Sequence, residues 1–192
     1  HPVVPTVQKL PRQEAGQRPA RALPYDLHAD FLIPDTLKLT NTGSQGAVFR
    51  VRANGITQHF TLDARTSLHV PVKPSDMEAI TVHGPNGFYR YWRGKEFPET
   101  TLQYDHKLGV LFLCLRNTTS KVQTFHINEK HAASLRTVSL TPAETQTIQW
   151  DIAPASYWYD LEILSTQRPN IVLQLSGHIE TGRPGLTEPY SE

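Results

Sequence analysis

From about Tyr25 onward the apolar residues recur at every second position in short runs. Leu37 and Leu39 alternate with Lys38 and Thr40, and Ala47, Phe49 and Val51 alternate with Val48, Arg50 and Arg52. Ile56, Phe60 and Leu62 share one parity, as do Leu68, Val70 and Val72, then Ile80 and Val82. This period of two is that of a strand with one buried face. Turn signals separate the runs: Asn41-Thr42-Gly43, Asn54-Gly55 and Pro85-Asn86-Gly87. Asn-Gly suits a hairpin whose two central residues need positive φ, so Asn54-Gly55 predicts one. The second half repeats the pattern with Leu111, Leu113 and Leu115, then Gln123, Phe125 and Ile127, then Val138 and Leu140. Ile148, Trp150 and Ile152 follow, then Leu161 and Ile163, then Ile171, Leu173 and Leu175. No stretch keeps a helical period over three turns.

The two halves read as copies. Leu37-Lys38-Leu39-Thr40-Asn41-Thr42 matches Leu113-Cys114-Leu115-Arg116-Asn117-Thr118, and Phe60-Thr61-Leu62 matches Val138-Ser139-Leu140. The run from Phe88 to Gly94 matches that from Ile171 to Gly177. The spacing widens along the chain, as loop insertions produce. Each copy carries enough short strands for a small antiparallel sandwich. The expected fold is therefore all-β: two tandem β-sandwich domains of immunoglobulin-like type after a Pro-rich linker. Residues 1–24, with Pro2, Pro5, Pro11, Pro19 and Pro24, form the linker. Residues 25–97 and 98–180 form the two sandwiches, and residues 181–192 read as a flexible tail. The start at His1-Pro2, without Met, reads as a piece of something longer.

Composition narrows the function classes. The formal net charge of +1 argues against a nucleic-acid grip. No apolar run reaches the roughly 18 residues of a transmembrane helix. The single cysteine, Cys114, allows no internal disulfide and no thiolate cage, and its apolar neighbours predict a buried small hydrophobe. The nine histidines show no helical metal-site spacing, and His59 and His69 fall on outward parity, so no metal or cofactor is assigned. There is no Gly-x-Ser-x-Gly, and Ser44, Ser67 and Ser120 lack a nucleophile's setting, so no catalytic residue is assigned. Gly84-Pro85-Asn86-Gly87 lacks the Lys-Ser/Thr of a phosphate cradle and reads as a tight turn.

The unusual segment is Phe88-Tyr89-Arg90-Tyr91-Trp92-Arg93. On a strand, Phe88, Arg90 and Trp92 face one way, and Tyr89, Tyr91 and Arg93 the other. Aromatic rings beside Arg suit a membrane interface or a choline-type cation. Arg90, Tyr91, Trp92, Arg93 and Trp158 are therefore the candidate lipid-interface residues. The alternative is a strand with one buried face and cation–π contacts on the other.

An ordered series of segments carries a family resemblance. It runs Arg18-Pro19-Ala20-Arg21-Ala22-Leu23-Pro24-Tyr25-Asp26-Leu27, then Asn41-Thr42-Gly43 with Gly46-Ala47-Val48-Phe49, then Val82-His83-Gly84-Pro85-Asn86-Gly87-Phe88 and Arg93-Gly94. It resembles the C-terminal region of the secreted bacterial phospholipases C that prefer phosphocholine lipids, haemolytic and non-haemolytic. The resemblance implies two copies of a small domain following an alkaline-phosphatase-like catalytic domain. It also implies catalytic residues upstream, none transferable to a position here, and a secreted or periplasmic bacterial protein. The second copy departs from the first at Gln167-Arg168-Pro169-Asn170. Three roles follow as expectations. The first is an accessory region that supports the upstream catalytic domain and contacts phosphatidylcholine or sphingomyelin surfaces. The second is a purely structural, export or partner-binding module. The third is an independent sandwich that binds carbohydrate or another ligand.

Overall fold

The computed structural model describes residues 16–75 and 78–188. Among the described residues the chain is all-β, with one short 3₁₀ turn at Ala153–Ala155. It opens with β1 (Pro19–Ala20) and then β2 (Leu27–Leu32), β3 (Thr36–Asn41), β4 (Ala47–Ala53), β5 (Ile56–Leu62), β6 (Thr66–Pro71), β7 (Ile80–His83) and β8 (Tyr89–Arg93). The second copy supplies β9 (Glu99–Asp105), β10 (Val110–Arg116), β11 (Gln123–Glu129), β12 (Ser134–Leu140), β13 (Thr145–Asp151), β14 (Trp158–Ser165) and β15 (Val172–His178), followed by β16 (Gly185–Leu186). The expected Asn54-Gly55 hairpin joins β4 to β5, with φ of 51° and 74° at its two residues.

Each copy places four strands in one layer and three in the other. The three-stranded sheets are β2-β3-β6 and β13-β10-β9. The four-stranded sheets do not remain separate: β8 pairs with β15, giving one eight-stranded sheet ordered β12-β11-β14-β15-β8-β7-β4-β5. Their register places Arg90 opposite Leu175, Tyr91 opposite Gln174 and Trp92 opposite Leu173. By the repeat correspondence Arg90 matches Leu173 and Trp92 matches Leu175. The join is therefore two-fold about the Tyr91–Gln174 pair. One hydrophobic cluster runs through both copies, from Phe31, Leu37 and Phe49 to Leu113, Ile127 and Leu161. Joining the two edges removes two unpaired backbone rows.

Buried asparagines at matching positions confirm the internal repeat. Asn41 donates to the carbonyls of Gln45 (2.8 Å) and Asp63 (3.2 Å) and accepts from the Gly43 N–H (3.0 Å). Asn117 donates to the carbonyls of Lys121 (2.8 Å) and Thr141 (3.1 Å) and accepts from the Thr119 N–H (2.9 Å). Each pins the loop after a three-stranded-sheet strand to the far end of the opposite layer. A buried amide is tolerated because its capacity is filled.

Three expectations need correction. Cys114 is half-buried, on the outer face of its sheet between Thr101 and Thr147, because Leu111, Leu113 and Leu115 take the core side. The described part of the 181–192 tail is tied down: Gly185–Leu186 pairs with Pro19–Ala20, and the Thr187 N–H donates to the Arg18 carbonyl. The same pairing holds the described end of the 1–24 linker against the fold. The remainder of both segments lies outside the described residues.

Candidate functional site

The β8 strand sits at the centre of the eight-stranded sheet, and its two faces separate as the alternation requires. Phe88, Arg90 and Trp92 are buried, Tyr89 and Tyr91 are half-buried, and Arg93 is exposed. Arg90 and Trp92, each 2% exposed, face the interior and leave the candidate lipid interface. The physical reason is the second layer: β2 and β9 pack together beneath this strand and cover its inner face. The Trp92 ring lies tilted against Phe31, ring centroids 6.1 Å apart.

Arg90 is a buried cation made tolerable by its partners. Its guanidinium donates to the carbonyls of Tyr89 and Ser176, each at 2.8 Å, and to the hydroxyls of Tyr104 (2.8 Å) and Tyr159 (2.9 Å). It also lies over the Phe88 ring, 4.2 Å from the centroid. Burial opposes its charge, but the Tyr159 and Tyr104 phenols and Asp30 more than offset this, raising its pKa. Burial pushes the Tyr104 phenol well above its usual value. Gly177 on β15 is required here, because a Cβ would meet the Tyr159 hydroxyl at 2.7 Å.

Trp158 also leaves the interface. Its parity is outward, yet it is only 5% exposed because the C-terminal segment covers it. Its indole donates to the Leu186 carbonyl at 2.9 Å and lies 4.7 Å from the His178 ring. Gly87, at positive φ, lets the turn approach: a Cβ there would meet the indole at 2.8 Å.

Beside these residues the junction of the two copies gathers ionisable groups that sequence reasoning missed. Asp26 lies 3.3 Å from both His28 and His106 and accepts from Thr42 at 2.5 Å. Burial alone would raise the Asp26 pKa, but the bonds from His106, His28 and Thr42 hold it far below the carboxylate range. Bonding to Asp26 raises the His106 pKa against its partial burial. Glu180 receives His178 (3.1 Å), Asn86 (2.7 Å) and the Leu23 N–H (3.0 Å). Gly84-Pro85-Asn86-Gly87 is the expected turn between strands, and its Asn86 ties β7–β8 to the chain after β15. No local spacing marks this cluster, since its members come from distant segments. The cleft it leaves, about 20 Å³ between Asp26, Asn86, Tyr104, Tyr159, His178 and Glu180, has room for about one water. A headgroup or substrate does not fit. Among the described residues no group of three or more His, Cys, Asp or Glu is arranged to hold a metal ion.

The open surface is the outer face of the eight-stranded sheet. Tyr91 and Arg93, of the five candidates, lie there with Tyr89. Tyr89 approaches His83 on β7, ring centroids 4.8 Å apart, and Tyr91, at 6.4 Å. Among the described residues no helix is long and apolar enough to cross a membrane.

Comparison with known proteins places the chain. The family model for the bacterial phospholipase C, C-terminal domain, matches twice, over residues 19–95 and 98–178. Non-hemolytic phospholipase C of Burkholderia pseudomallei is 34% identical over 98% of this chain, and that of Pseudomonas aeruginosa 33% identical over 98%. Hemolytic phospholipase C of Pseudomonas aeruginosa is 29% identical over 95% of the chain. The chain spans 30% of the length of each of these relatives. Among solved structures, one described as giving structural insight into host cell surface retention of a 1.5-MDa bacterial ice-binding adhesin aligns over 85% of this chain and 67% of its own, at 11% identity and a TM-score of 0.29, too low to carry an argument. The repeated sandwich, its paired asparagines and the double match over both copies make this chain a member of the bacterial phospholipase C C-terminal domain family.

Proposed function

We propose that this chain is the non-catalytic accessory region of a secreted bacterial phospholipase C. It supports an upstream catalytic domain and rests on phosphatidylcholine or sphingomyelin surfaces through the outer face of β8. The observation that carries the contact is the exposed parity of that strand: Tyr89, Tyr91 and Arg93 project from the middle of a broad sheet. Amphipathic rings with a neighbouring cation are the side chains that settle at headgroup level. A secreted or periplasmic location goes with this role.

The test is co-sedimentation of the chain with phosphatidylcholine vesicles at low and high salt. Salt-resistant binding, weakened by Tyr91→Ala in a variant that still melts like the parent, supports the contact. Binding lost in salt points to Arg electrostatics alone. No binding at either salt removes the contact and leaves the structural role. That second role has its own support: Glu180 and β16 grip Leu23 and β1, so the segment entering the first copy is held in one direction.

A further inference from the structure

The outer face of the first copy carries cations that the fold does not need. Arg50 on β4 stands between His59 on β5 and His83 on β7, each its direct cross-strand partner. Arg52, two residues on and therefore on the same face, stands between Thr57 and Thr81. Both arginines are exposed, and among the described residues neither has an ion-pair or side-chain hydrogen-bond partner.

The second copy shows that the sheet is built equally well without them. By strand pairing, His126, Thr137 and Leu164 occupy the places of Arg50, His59 and His83, and Asn128 and Glu162 those of Arg52 and Thr81. The same backbone positions thus hold no Arg, and one acid. The cationic row belongs to the first copy alone, so it answers to something other than folding.

An open groove of about 390 Å³ lies along this row, lined by Arg50, Arg52, Thr81 and His83, with Glu78 as its acid. The His83 ring lines the groove, with its Nδ1 buried and without a hydrogen-bond partner among the described residues. Burial, and then the neighbouring Arg50 charge, lower the His83 pKa. The groove is continuous with the membrane-contact face, because His83 and Thr81 pair directly with Tyr89 and Tyr91.

We propose that Arg50, Arg52 and His83 form a site for the phosphate of an anionic phospholipid headgroup. The site rests on the membrane-facing orientation of β8. Two guanidiniums on one strand suit a phosphate's oxygens, and His83 lines the groove between them and β8. The neighbouring tyrosines place the groove at headgroup depth.

The chain is co-sedimented with vesicles of phosphatidylcholine alone and of phosphatidylcholine doped with phosphatidylglycerol. Doping is expected to strengthen binding. Arg50→Gln and Arg52→Gln should each weaken the doped binding about fivefold and together about thirtyfold, with binding to undoped vesicles unchanged. Arg50→Lys with Arg52→Lys should keep most of the gain, and Glu78→Gln should increase it. Thermal melts check that the exposed substitutions leave the fold intact. Two results overturn the site: no gain on doping, or a full gain in the double Gln variant. Inorganic phosphate alone is then titrated while amide spectra are recorded. Saturation around His83 at low concentration, with no doping effect, would make this a soluble-phosphate site and overturn the lipid assignment. If undoped vesicles fail to bind but doped ones bind through Arg50 and Arg52, the site stands and the phosphatidylcholine contact falls.

Discussion

Replacing Arg90 distinguishes a core cation from a surface one. Arg90→Ala deprives the Tyr89 and Ser176 carbonyls of a donor and removes the chain over Phe88. The Tyr104 and Tyr159 hydroxyls keep one another at 2.8 Å, so they are only partly orphaned. Each buried acceptor left unpartnered costs about 1–3 kcal/mol, and loss of one member of a buried charged network about 3–5 kcal/mol in all. Arg90→Leu adopts the second copy's own solution, Leu173, at the matching position. It refills the space and costs about 1–2 kcal/mol. Equilibrium unfolding in urea measures both, from midpoint and slope. Arg90→Ala within about 1 kcal/mol of the parent, or Arg90→Leu as damaging as Arg90→Ala, would refute the reasoning. Vesicle binding of Arg90→Leu should equal that of the parent.

Three further outcomes follow from the junction and the core. The lowered Asp26 pKa contributes stability above its unfolded value, lost as pH falls through the folded one. The raised His106 pKa contributes stability below its unfolded value, lost as pH rises through the folded one. Together they favour a window of about pH 4 to 6.5. Melting from pH 6 upward should fall less steeply in His106→Gln than in the parent, and equal slopes would exclude the pair as the cause. The lowered His83 pKa has the opposite sign but is common to both proteins. Trp92→Ala should cost about 3–5 kcal/mol by urea unfolding and spare vesicle binding per folded molecule. Trp158→Ala should release residues 185–187, seen as faster amide exchange at Thr187, whose N–H is bonded to Arg18; unchanged protection there would mean that the strand pairing alone holds the segment.

Much of the fold is legible in the chain because alternation and turn residues are local physics. Leu37 and Leu39, Ile127, and Leu173 and Leu175 mark inward faces without reference to any partner, and Asn54-Gly55 specifies its own hairpin. Asn41 and Asn117 reveal the duplication because each sits at the same step of the same local pattern. The alternation of β8 likewise sorts Phe88, Arg90 and Trp92 from Tyr89, Tyr91 and Arg93, but it does not say which set is buried. That depends on β2 and β9 closing beneath the strand, and on Tyr104 and Tyr159 arriving to solvate Arg90. Trp158 points outward by its own strand and is buried only because residues 185–187 return across it. Asp26, His106 and Glu180 meet for the same reason: long-range pairing of β8 with β15 and of β1 with β16 brings their segments together. Periodicity encodes the faces of a strand, while the choice of neighbour is made by contacts between residues far apart in the chain.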